Sequence, residues 1–181
     1  MAEPGGRGPV LIAIARASIE QGDAEPMPSA WGHDWLSASG ASFVTLRLDE
    51  DLRGCIGSID ARRSLGEDVA RNARAAAYRD PRFPPVSADE RLRLRIEVSV
   101  LSAREPFVVA SEAEALTRLR PGVDGVALEY GGASATFLPQ VWESLPGPDE
   151  FLEQLRRKAG LPARFWHVDL RLSRYTVEKF A

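Results

Sequence analysis

Cys55 is the only cysteine among 181 residues, and a thiol is the side chain here best suited to act as a nucleophile or soft metal ligand. It stands in the run Leu52-Arg53-Gly54-Cys55-Ile56-Gly57-Ser58-Ile59, between two glycines and two residues from an arginine. In an extended chain Arg53, Cys55 and Gly57 share one face, with Arg53 roughly 7 Å along the strand from the thiol. A nearby cation favours the thiolate, so the run reads as a Cys55 nucleophile with Arg53 as its activator. The competing reading is a buried cysteine acting as a small hydrophobe. His33 and His167 are the only imidazoles, and no local motif ties either to Cys55. Glycine inside a strand weakens it, so the pair at Gly54 and Gly57 marks a close approach to the backbone.

A second set of side chains reads as an anion site. Pairing the strand before this run across the loop Asp49-Glu50-Asp51 sets Leu48 opposite Leu52, Leu46 opposite Gly54 and Val44 opposite Ile56. The other face then carries Thr45 opposite Cys55 and Arg47 opposite Arg53. Like charges directly opposite each other need a counter-charge, which a ligand carboxylate or phosphate supplies, with Arg82 as a third cation. Internal neutralisation by Asp49, Glu50, Asp51 or Glu97 is the competing account. Glu97 lies on the polar side of its strand and is a further polar contact for a ligand or, less simply, an acid–base group. With one cysteine and two histidines, and no CxxC, HExxH, phosphate-binding loop or dinucleotide fingerprint, no metal or cofactor is expected.

These side chains need elements to hold them. Val10–Gln21 has an apolar face at Leu11, Ile14 or Ala15, and Ser18 or Ile19, and Gly22 suits a left-handed helix end. Glu25-Pro26-Met27-Pro28 is a loop, and the aromatic stretch from Trp31 to Trp35 has no clear period. Phe43–Leu48 and Leu52–Ile59 read as strands. Ser64 and Glu67 form a capping box for a helix with the stripe Leu65, Val69, Ala73, Ala77, stopped by Asp80-Pro81. Leu92–Leu101 alternates apolar and polar residues with a period of two, a strand with one polar face. Ser111 and Glu114 cap a short helix, and Gly131-Gly132 turns a hairpin between Val126–Tyr130 and Ser134–Leu138. Asp149–Ala159 is a helix ended by Gly160, and Trp166–Phe180 is extended. Trp142 and Trp166 read as core anchors.

At 19.8 kDa the chain suits one ordinary domain, burying roughly 70% of its unfolded surface without a staple. A net charge of −3 disfavours nucleic-acid and membrane-surface binding. No stretch has the roughly 20 apolar residues of a membrane span, and the single cysteine fits a reducing, cytoplasmic compartment.

Four segments together resemble the AMMECR domain family, whose microbial members are called AmmeMemoRadiSam system protein A. They are Phe43–Leu46 with Leu52-Arg53-Gly54-Cys55-Ile56-Gly57, then Asp80-Pro81-Arg82-Phe83-Pro84-Pro85, then Glu97–Ser102, then Asp124-Gly125-Val126 with Phe137–Trp142. The resemblance runs from about Phe43 to the C-terminus, which divides the expectation into residues 1–42, an N-terminal helix and loop, and 43–181, the AMMECR-like domain, within one compact unit. It implies an α+β fold, a mixed or antiparallel sheet with flanking helices plus a smaller lobe. It also implies work beside a Memo-type protein and a radical SAM protein, and no established reaction. The function expected is therefore a ligand- or partner-binding domain, with a thiol-dependent enzyme as the alternative.

Overall fold

The computed structural model describes residues 6–22 and 32–181. The expected loop at Glu25–Pro28, residue Trp31 and the first five residues of the polar start lie outside the described residues. In chain order the helices are α1 Arg7–Glu20, α2 Asp34–Ser37, α3 Leu65–Tyr78, α4 Ala88–Arg93, α5 Glu112–Arg118 and α6 Pro148–Lys158. The strands are β1 Ser39–Leu48, β2 Asp51–Gly57, β3 Arg63–Ser64, β4 Leu94–Leu101, β5 Glu105–Pro106, β6 Gly125–Tyr130, β7 Ala133–Phe137, β8 Arg171–Tyr175 and β9 Val177–Phe180. Helices on antiparallel sheets make this an α+β fold.

The chain divides into two compact units, residues 1–101 with 178–181, and residues 102–177. In the first, strands run β2-β1-β4-β9 across the sheet, with β3 paired to the start of β1. The alternation expected for β4 holds: Leu94, Ile96, Val98 and Val100 are buried in one cluster with Val44 and Leu46 of β1. Against that face lie α1, through Leu11, Ile14, Ala15 and Ile19, and α3, through Leu65, Val69, Ala73 and Ala77. Each fully buried aliphatic side chain contributes about 1.5–3 kcal/mol. Gly22 has the left-handed φ of 74° that the sequence requires after α1.

Ser64 caps α3 by accepting from the Glu67 N–H at 3.4 Å, but the Glu67 carboxylate turns to Arg71 at 2.9 Å. The strand expected from Leu92 starts only at Leu94, because Ser87 and Glu90 form a full capping box that draws residues 88–93 into α4. Leu92, read as an inward strand position, is consequently exposed.

The second unit is a sheet in the order β5-β8-β6-β7, with α5 and α6. Gly131 and Gly132 take φ of 54° and 87° at the β6–β7 turn, as the hairpin demands. Trp142 is a core anchor: it stacks on Phe151 at 3.7 Å and donates from Nε1 to the Asp124 carbonyl at 2.7 Å. The expected long extended segment to the C-terminus is two strands, β8 and β9, the latter returning the chain to the first sheet.

Candidate functional site

The register of the β1–β2 hairpin decides which side chains meet. Thr45 lies opposite Cys55, Leu46 opposite Gly54 and Val44 opposite Ile56, as the alternation requires. Nearer the turn the expected pairing fails. Leu48 faces Asp51 and Arg47 faces Leu52, with Arg53 the extra residue of a β-bulge. The cause is the turn: Asp49 adopts φ 54°, which lets it close one residue earlier than a three-residue loop. Arg53 therefore does not stand opposite Arg47, and Leu52 is turned out to partial exposure instead of into the core.

The bulge sends Arg53 inward, where it is 8% exposed. Its Nε and Nη2 donate to the two Glu90 oxygens at 2.8 and 3.1 Å, and Nη2 also donates to the Pro84 carbonyl at 2.9 Å. The Arg53 hydrogen bonds, followed by the Ser87 N–H, hold the Glu90 carboxyl down at about 2. Arg53 thus ties β2 to the proline loop and to the start of α4. Its counter-charge comes from Glu90, which lies two residues before the expected strand and belongs to no expected element. The signal was the Ser87-x-x-Glu90 spacing.

Arg82 is the guanidinium that sits at Cys55. Asp80, whose side chain is 2% exposed, accepts the Cys55 N–H at 2.9 Å and Arg82 Nη2 at 2.7 Å. Arg82 Nη2 in turn donates to the Cys55 carbonyl at 3.1 Å. Hydrogen bonding from Arg82 keeps the Asp80 carboxyl far below the usual range despite its burial, with the Cys55 and Arg82 N–H groups adding to the effect. Asp80 likewise raises the Arg82 pKa, and the Cys55 side chain adds a smaller push in the same direction. The thiol is 3.3 Å from the Thr45 hydroxyl and remains half-buried.

Both glycines of the run have packing reasons. A Cβ on Gly54 would collide with the Ala76 carbonyl oxygen of α3, and one on Gly57 would collide with the Phe43 ring. Below the run, buried Asp68 of α3 accepts the Ser42 N–H at 2.8 Å, the Ser42 hydroxyl at 2.7 Å and the Ser58 hydroxyl at 2.8 Å. Helix α3 and the loop after it therefore hold Cys55 and Ser58 through two carboxylates, Asp80 and Asp68.

On the sheet face turned away from the helices, Thr45 sits between Cys55 on β2 and Glu97 on β4. Glu97 receives Arg47 at 3.1 Å and Lys179 of β9 at 2.7 Å. Burial disfavours its charge, but the Lys179 and then the Arg47 interactions outweigh that and lower its pKa. Lys179 was not foreseen; one of only two lysines, it reaches the site through a strand added from the chain's far end. His33 stacks on Trp35, and His167 contacts Tyr130 and Asp169. Among the described residues no group of three His, Cys, Asp or Glu side chains could hold a metal ion, and no helix is long and apolar enough to cross a membrane.

Comparison with known proteins places this chain in a family. A protein of Methanothermobacter thermautotrophicus is 37% identical over 183 aligned positions, covering 96% of this chain and 93% of its own length. A Thermotoga maritima protein is 38% identical, with 77% of this chain and 76% of that one covered. The crystal structure of an uncharacterized protein from Pyrococcus horikoshii superposes with a TM-score of 0.78 at 34% identity, covering 95% of this chain and 89% of the other. The AMMECR1 family model matches residues 12–180, and the chain belongs to that family.

Proposed function

We propose that this chain is a binding domain that receives a small ligand or partner protein on the sheet face around Cys55 and works beside a Memo-type protein and a radical SAM protein. The observation that carries this reading is how firmly Cys55 is fixed while its thiol stays half-buried rather than sealed. Its N–H, its carbonyl and its sulfur each have a side-chain partner, in Asp80, Arg82 and Thr45. A packed strand position does not need three such restraints, whereas presenting one side chain at a constant angle does.

Titrating the purified chain with a Memo-type protein and with a radical SAM protein, while following iodoacetamide alkylation of Cys55 by mass spectrometry, tests the reading. Complex formation that slows alkylation and weakens in Cys55→Ser is expected. A complex that leaves both untouched, or no complex with either, counts against it. The second reading, a thiol-dependent enzyme, is favoured by the half-buried thiol and by the guanidinium of Arg82, which stands at the Cys55 carbonyl where the sequence had suggested Arg53. A covalent adduct on Cys55 after incubation with a small-molecule extract would select it.

A further inference from the structure

Buried carboxylates and exposed cations are layered around the Cys55 thiol. The two acids, Asp80 and Glu97, have side chains only 2% and 15% exposed. Their cationic partners Arg82, Arg47 and Lys179 are 52%, 35% and 60% exposed. Three cations against two acids leave an excess of one positive charge, and it lies on the solvent side. At the next rung Arg95 is matched by Glu50 at 2.9 Å, and beyond it Arg93 by Asp49 at 2.8 Å, so those cations add nothing to the surplus. Arg82 uses Nε and Nη2 on Asp80 and Cys55, which turns a single edge of its fork inward and leaves the other to solvent.

From this layering we infer that the site takes an anionic ligand, a small molecule whose carboxylate or phosphate meets Arg47 and Lys179 over Glu97, across Thr45 from the thiol, with Arg82 on the outer side of Cys55. The inference rests on the binding reading above and names its ligand class. It moves the anion site expected from Arg47, Arg53 and Arg82: Arg53 is committed to Glu90, and Lys179 takes its place. Glu97 acts from below, holding Arg47 and Lys179 together.

Two reagents of opposite character test it on the intact protein. In each the Cys55 sulfur displaces iodide, so that a C–S bond forms as the C–I bond breaks; iodoacetate carries a negative charge and iodoacetamide none. The ratio of their rates at Cys55 is compared with the same ratio for 2-mercaptoethanol. Selectivity for iodoacetate is expected to exceed the reference by roughly three- to tenfold at low salt. It should collapse toward the reference at about 1 M salt, where charges are screened within ~3 Å. Lys179→Gln, at an exposed side chain, and Arg82→Gln should each lower it. A ratio equal to or below the reference and indifferent to salt overturns the anionic ligand while leaving the binding reading intact. Failure of both reagents to reach Cys55 in the folded protein overturns both.

Discussion

Asp80 and Cys55 are joined at 2.9 Å, carboxylate to backbone N–H, and Arg82 closes the ring on the Cys55 carbonyl. β2 is an edge strand of its sheet, and here its outward backbone groups are occupied by an acid–base pair instead of a neighbouring strand. Exposed strand edges template unwanted pairing, which a charged clip of this kind prevents. Asp80→Asn keeps the shape and loses the charge. It should cost about 1–3 kcal/mol in urea unfolding and speed amide exchange at Cys55. Unchanged exchange there would show that the clip is ornamental.

Acid should loosen the first unit through Glu90. Its carboxyl falls from 4.5 to about 2 on folding, so the stability it contributes is complete above about pH 4.5 and is lost as pH drops toward 2. Asp80, depressed further still, extends the same loss to lower pH. Urea midpoints measured from pH 6 to pH 2 should decline across that window, and Glu90→Gln should flatten the upper part of the decline. An identical slope in the variant would remove Glu90 from the account.

Gly54 and Gly57 are both closed to side chains, but unequally. At Gly54 the obstacle is a helix backbone carbonyl, at Gly57 an aromatic ring that can tilt. Gly54→Ala should destabilise by about 3 kcal/mol or more and Gly57→Ala by about 1–2 kcal/mol, the range of overpacking in a fitted interior. Thermal melts of the two variants give the order directly, and a reversed order would contradict the packing described.

Phe180, on the last strand, packs on α1, where its Cδ1 lies 3.0 Å from the Cβ position of Gly8. Phe180→Ala should weaken the first unit by about 2–3 kcal/mol, less than a fully buried phenylalanine because the ring is only half-buried. Hydrogen exchange read segment by segment should rise in α1 and β4 and stay level in β6 and β7. A uniform rise would mean that the two units share one unfolding transition.

What the sequence discloses follows the reach of each signal. The alternation of β4 and the α3 stripe are periodic and local, so both are legible. Thr45 opposite Cys55 is legible too, since one apolar face fixes the register from Gly54 onward. The bulge at Arg53 is not, because it depends on Asp49 accepting a left-handed φ that many residues would refuse. Its consequence is large, since it removes Arg53 from the thiol's face and leaves Arg82 as the neighbour. Glu90 went unread because its Ser87-x-x-Glu90 capping spacing opens a helix of only six residues, too short to show a period. Lys179 was out of reach because its partner Glu97 lies far back in the chain.

Strand β9 also sets an order of assembly. Residues 102–177 form a contiguous unit, whereas the first sheet receives its last strand only from residues beyond 177. During synthesis the later-made unit has all of its own chain before the earlier-made one does. The thiol face must therefore wait, without Lys179 and with Glu97 short of one cation, until the residues after 177 have been made.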